Sequence, residues 1–227
     1  MKAVILAAGR GKRMMPLTEE RPKPLLQVLG KPLLDHMIEN LPPEVDELVV
    51  VVGYLGNMIR EHLGDSFKKK PIVYVEQKEQ RGPAHALQLV RDVIAPGERF
   101  FFLFADDIYD AKSFASLLKH PQAVLVAVSK TPERFGVVLA DAEGKIVDIE
   151  EKPAQPKSDL VLTGAYLFDS HIFDYEMEAH SNGEYFLPPI MMKMNKEHPL
   201  FVERATLWIP IGYPEDLKKA EAILGEK

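Results

Sequence analysis

The chain contains no cysteine. Disulfides and thiolate-held metals are therefore excluded. Tryptophan is almost missing, with one in 227 residues. No apolar run approaches the roughly 18 residues that a membrane span needs, so no membrane partner is expected. Met1-Lys2 leads straight into a short strand-like run, without the apolar region and cleavage site of a secretion signal, so the cytoplasm is the expected location. Positive charge is scarce too: 28 Lys and Arg stand against 34 Asp and Glu, a formal net charge of -6. A general nucleic-acid binder would need a basic face, and none is expected here. There is no internal repeat, and the nearest thing to a linker is the short "EKPAQPKSD".

Against that acidic background one segment is basic. From Arg10 to Lys31 there are six Lys or Arg and two Glu, and the segment opens on glycines at 9 and 11. Local cations in an acidic chain suggest an anionic ligand.

The pattern around this segment is that of an α/β protein. Val4–Ala7, Glu47–Val52, Ile72–Val75, Phe100–Phe104 and Ala123–Val128 read as strands that are apolar throughout. Helices are expected at Leu33–Asn40, near Leu55–Leu63, and from Pro83 to about Ile94. Apolar strands alternating with helices indicate a mostly parallel sheet covered on both faces. The second half differs. "GVVLADAEGKIVDIEE" reads as an antiparallel hairpin turning at Asp141–Gly144, and "LVLTGAYLF" as a further strand. Helices follow near Glu184–Asn195 and Pro214–Leu224. The expected architecture is a Rossmann-like three-layer sandwich with a mixed, mostly parallel central sheet. Its ligand would lie at the carboxyl ends of the strands.

The glycine loop matches neither common nucleotide motif. A Walker A loop ending at Gly11-Lys12 would need glycine where Leu6 stands and Ser or Thr where Arg13 stands. A dinucleotide fingerprint would need glycine where Met14 stands. The longer stretch "LAAGRGKRMMPLTEERPKPLL" instead resembles the signature of sugar-1-phosphate nucleotidylyltransferases, L-A-[AG]-G-x-G-x-R-[ML]-x-P-L-T followed by P-K-P-[LM]. The resemblance continues in order through "EQKEQRGPAHAL", "FLFADDIY", "RFGVVLAD", "IEEKP" and "TGAYLFD". It implies one nucleotidyltransferase domain over residues 1–227, with a nucleotide-binding half at 1–130 and a sugar-phosphate-binding half at 131–227.

The implied reaction joins a nucleoside triphosphate to a sugar-1-phosphate and releases pyrophosphate. An oxygen of the sugar phosphate attacks the α-phosphorus. This nucleophile is already largely dianionic, its second pKa being about 6, and needs no general base. The barrier is one anion approaching another, so cations and positioning are what the protein must supply. By resemblance, Leu6, Ala7, Ala8, Gly9 and Gly11 form the nucleotide loop, Arg13 grips the β- and γ-phosphates, and Lys23 sits beside the α-phosphate. Gln77 and Gly82 belong to the base-reading segment, and Asp106 carries Mg²⁺, the expected cofactor. Arg13, Lys23 and Asp106 are the catalytic set. Gly136, Glu151, Lys152, Gly164 and Tyr166 would line the sugar-phosphate site, although Tyr166 reads equally well as core. Asp107 is expected to stand behind Asp106, and Trp208 to be a packing residue.

One departure stands out. The family usually reads W-x-D-[IV]-G-[TY]-P-E-D near its C-terminus, with that Asp as the second Mg²⁺ ligand. Here the stretch is "WIPIGYPED" and the position is Pro210. A non-catalytic binder of nucleotide sugars is therefore carried as an alternative; an acceptor other than a sugar, such as phosphocholine, is carried as another, although the Gly136 and Glu151-Lys152 segments favour a sugar. "LAAG" and Gln77 favour UTP, then dTTP. The particular sugar and self-association into a homo-oligomer are left open.

Overall fold

In a computed structural model, residues 1–180 and 182–225 are described. Ten strands form the main sheet: β1 (Lys2–Ala7), β2 (Glu47–Val52), β3 (Ser66–Phe67), β4 (Lys70–Glu76), β5 (Arg99–Phe104), β6 (Ala123–Val128), β7 (Gly136–Ala140), β8 (Ile146–Glu151), β9 (Leu160–Asp169) and β10 (Phe201–Arg204). Among the described residues the α-helices are α1 (Leu33–Glu39), α2 (Gly56–Leu63), α3 (Pro83–Leu89), α4 (Ala111–Leu117), α5 (Leu187–Met194) and α6 (Pro214–Gly225).

The parallel half follows from its strands. β1 pairs in parallel with β2 on one side and β5 on the other, and β2 with β4. All three central strands carry apolar side chains on both faces, because both faces are covered. Along them alternate residues enter two different cores. Val4, Val49, Val51, Phe100 and Phe102 face α3 and α5. Ala3, Ile5, Val50, Phe101 and Leu103 face α1, α2 and α4. This period of two, satisfied twice, produces the three layers. A third cluster joins α6 to two short ribbons, Gln27–Val28 with Lys31–Pro32 and Ile108–Tyr109 with Trp208–Ile209.

The second half is antiparallel where the sequence alternates. β7 and β8 form the expected hairpin, and β9 runs antiparallel to β5, β6 and β7. β9 shifts register between Leu162 and Tyr166. Gly164 occupies that shift at φ 91°, where a Cβ would lie 3.0 Å from the Phe104 ring. The irregularity bends β9 around the cavity described below.

One expectation needs correction, and two features add to the expected pattern. α3 stops at Leu89 rather than near Ile94, because the chain tightens into a 3₁₀ turn at Arg91–Val93. β6 does not adjoin the parallel core. β9 lies between it and β5, and β6 takes β10 as its parallel neighbour. Helix α4 was not foreseen; the Asp110 side chain caps it by accepting from the Ser113 amide at 3.1 Å.

Candidate active site

The carboxyl ends of β1, β2, β4 and β5 open onto a cavity of about 1020 Å³. A second, of about 920 Å³, lies beside the ends of β6 and β8 and the middle of β9. Arg13, Lys23, Pro83, Phe104, Asp106 and Gly212 line both, so the two volumes meet there.

The three residues expected to be catalytic are thus brought together at the junction. Lys23 is buried, and its Nζ lies 2.7 Å from Asp106 Oδ2. Pro22 and Pro24 flank it, and their fixed φ stiffens the backbone that presents the ammonium. Gly11 permits the approach. It sits at φ 61°, and a Cβ there would lie 3.2 Å from Lys23 Cβ and 3.1 Å from Thr18 Cγ2. The Thr18 hydroxyl donates to the Gly11 carbonyl at 2.9 Å and closes the loop.

Of the residues expected at the nucleotide, Leu6, Ala7, Gly9, Gly11, Arg13, Gln77 and Gly82 line the first cavity. Ala8 does not. Its side chain is buried in core, and its carbonyl accepts from Gln80 Nε2 at 2.9 Å and from the Tyr54 amide at 3.1 Å. Gln77 is also buried; its amide nitrogen lies 3.2 Å from the Gly82 carbonyl and 3.2 Å from His85 Nδ1. Gly82 is required by its neighbours: at φ 92° a Cβ would meet the Tyr185 carbonyl at 2.6 Å. Gly53 and Tyr54 also line this cavity and were missed. A glycine directly after β2, where the backbone crowds Ala8, was the available signal.

Gly136, Glu151, Lys152, Gly164 and Tyr166 all line the second cavity. Lys152 pairs with Glu151 at 3.0 Å. Gly136 leaves room for that carboxylate: a Cβ there would lie 3.4 Å from Glu151 Oε2 and 2.8 Å from Leu162 Cδ1. Tyr166 is core and cavity wall at once. Its ring is buried, stacks on Phe168 at 5.4 Å, and still forms part of the wall.

Asp107 turns away from Asp106. Its Oδ2 accepts from Trp208 Nε1 at 2.8 Å and its Oδ1 from the Ile211 amide at 2.9 Å. Burial, then the charge of Asp106, pushes its pKa up to about 7, against opposing contributions from Lys23 and these two donors. Asp107 therefore anchors the segment that carries Pro210, which is exposed on the second cavity. Trp208 packs edge-on against Phe135 at 5.5 Å in the same wall.

Two cavities thus meet at a buried cation, Lys23. Among the described residues no helix is long and apolar enough to cross a membrane. The model of the family described as Nucleotidyl transferase matches residues 2–227. The chain is 38% identical to UTP–glucose-1-phosphate uridylyltransferase AglF of Haloferax volcanii, covering 100% of this chain and 98% of that protein. It is 36% identical to bifunctional protein GlmU of Methanocaldococcus jannaschii, covering 100% of this chain and 55% of that one, so it spans about half of the GlmU relative. Among solved structures, a putative glucose-1-phosphate thymidylyltransferase from Bacillus anthracis superposes with a TM-score of 0.86 at 30% identity, covering 98% of this chain and 94% of that one. A UDP-glucose pyrophosphorylase complexed with UDP-glucose shares the fold, at a TM-score of 0.82 and 21% identity. The chain belongs to the nucleotidyl transferase family, among its sugar-1-phosphate nucleotidylyltransferases.

Proposed function

We propose that the protein transfers a uridylyl group from UTP to a hexose-1-phosphate, glucose-1-phosphate first among them, with dTTP as the next donor. The observation that carries this is the junction of the two cavities at Arg13, Lys23 and Asp106. A phosphate oxygen of the acceptor attacks the α-phosphorus of the nucleotide. The new bond joins that oxygen to phosphorus, the bond to the β-phosphate oxygen breaks, and pyrophosphate leaves with its electrons. No proton moves. Lys23 offsets the charge that builds on the α-phosphate, and Arg13 holds the departing phosphates. Glu151 accepts from sugar hydroxyls while Lys152 faces the sugar phosphate.

The choice of base rests on Gln77. Its amide nitrogen is engaged by Gly82 and His85. The amide oxygen is then the group left to meet the base, and it accepts from a ring N–H such as N3–H of uracil or thymine. Cytosine offers only an acceptor at N3. The similarity to a named uridylyltransferase supports UTP as well.

The residues fit Mg²⁺ as cofactor. Asp106 has one oxygen held by Lys23 and a side chain 37% exposed at the junction. Both oxygens of Asp107 are engaged elsewhere, and among the described residues no group of three or more His, Cys, Asp or Glu could hold a metal alone. Such a site suits an ion that takes most of its oxygens from phosphates and water and one from a carboxylate, as Mg²⁺ does. Bound at Asp106, it would neutralise phosphate charge.

The test is pyrophosphate release across UTP, dTTP, CTP and GTP and a panel of sugar-1-phosphates, with phosphocholine as a non-sugar acceptor. Turnover is expected to be fastest with UTP and glucose-1-phosphate. Release with phosphocholine alone, or binding of nucleotide sugar without turnover of any pair, would overturn the proposal.

A further inference from the structure

The second cavity is lined by six Lys and Arg side chains. Three already have carboxylate partners: Lys23 with Asp106, Lys152 with Glu151 and Lys219 with Asp216. Arg13, Arg134 and Lys130 show none among the described residues, and only the two arginines are held by a ring. Arg13 and Arg134 approach the ring of Tyr213, with guanidinium carbons 5.7 Å and 5.1 Å from its centroid. An aromatic ring orients a guanidinium without neutralising it. Tyr213 is itself fixed: its amide and that of Gly212 both donate to Asp216 Oδ2, at 2.9 Å and 3.0 Å. The result is two oriented, uncompensated guanidiniums, one at the junction and one on the acceptor side.

We propose that Arg134 binds the phosphate of the acceptor, and that Tyr213 is the positioning residue that presents Arg134 and Arg13 to the two reacting phosphates. The proposal rests on the activity proposed above. Arg134 lines the second cavity and not the first, so its anion is the acceptor rather than the triphosphate. A planar guanidinium also suits a phosphate monoester, which offers paired oxygens. Lys152 supplies a second, point-like cation to the same group. Its charge is already shared with Glu151, whereas that of Arg134 is not.

The experiment is steady-state kinetics with UTP and glucose-1-phosphate for the parent, Arg134→Gln, Arg134→Lys, Tyr213→Phe and Tyr213→Leu. Losing one charge-assisted contact should raise KM for glucose-1-phosphate in Arg134→Gln by about ten- to a hundredfold. KM for UTP should stay within about twofold. Arg134→Lys should recover part of the loss, because the charge returns without the fork. Tyr213→Phe should behave like the parent, since the ring remains, and Tyr213→Leu should raise KM for both substrates. The single Trp208 lines the same cavity, so its fluorescence can report glucose-1-phosphate binding without turnover, beside a non-hydrolysable UTP analogue. Arg134→Gln should weaken that binding by a similar factor. An active parent with unaltered acceptor constants in Arg134→Gln, or with both KM values raised equally, would overturn the role of Arg134 alone. A parent that releases no pyrophosphate with any sugar-1-phosphate would overturn the activity, and the fluorescence titration would still decide whether Arg134 holds the phosphate.

Discussion

Lys23 Nζ and Asp106 Oδ2 lie 2.7 Å apart, although 83 residues separate them in the chain. A buried ammonium, here at the start of the 3₁₀ turn Lys23–Leu25, is costly unless paired. The carboxylate that pairs it is also the one proposed to hold a divalent ion, and the two charges set each other's position where the two cavities meet. Removing either should be felt in turnover before it is felt in folding.

Lys23→Ala should therefore lower kcat by about 10²–10³, the scale found when one preorganised electrostatic donor is lost. KM for the nucleotide should change little, because Arg13 and the loop amides remain. Saturating single-turnover rates will check this, and a variant as fast as the parent would leave Lys23 with only a packing role.

Pro210 takes the place of an expected carboxylate. The protein alone should then bind Mg²⁺ weakly, and the rate should depend on free Mg²⁺ up to high concentration. Pro210→Asp should lower the Mg²⁺ concentration for half-maximal rate, and Asp106→Ala should nearly abolish turnover. Rate against free Mg²⁺ for the three proteins decides it. Normal Mg²⁺ dependence in Asp106→Ala would put the ion elsewhere.

Gln77→Ala should blur the choice among nucleotides more than it slows the preferred one. A site that hydrogen-bonds a base edge discriminates by leaving polar groups unpaired with the wrong base. Competition between UTP and CTP gives the ratio. If it is unchanged, base reading does not pass through this amide.

Asp107 makes stability depend on pH. Unfolded, its carboxyl loses its proton near the ordinary value of about 3.9. Folded, it keeps the proton to about pH 7, chiefly because it is buried. Between these values the native state binds more protons than the unfolded one. The contribution of this group to stability therefore falls as pH rises from about 4 to about 7, and stays lost above that. Urea midpoints of the parent relative to Asp107→Asn should decline over that window and level off beyond it. A difference independent of pH would contradict the raised pKa.

Much of this was legible in the residues. β2 and β6 fall where their apolar runs fall, and the β7–β8 hairpin turns where expected, because burial on two faces or on one leaves a visible pattern. The loop and its lysine were legible through the longer glycine-and-proline pattern. β10 was not: its four residues, only partly buried, take their place from β6, more than seventy residues earlier. Nor was the pairing of Tyr213 with Arg13 and Arg134. Cation–π contacts depend on where loops meet, and spacing along the chain does not encode that. Asp107 was expected behind Asp106, but its hold on Ile211 and Trp208 needed the fold.

The anchoring of Trp208 and Ile211 by Asp107 has a bearing on how the protein comes into being. A chain leaving the ribosome presents its phosphate loop first and the wall bearing Tyr213 some two hundred residues later. Until that last stretch arrives, Asp107 has neither donor, and Arg13 lacks the ring that orients it. On the proposed function, the nascent polypeptide thus carries half of the proposed site. The loop residues exist by then, but the ring proposed to orient Arg13 and Arg134 has yet to be made.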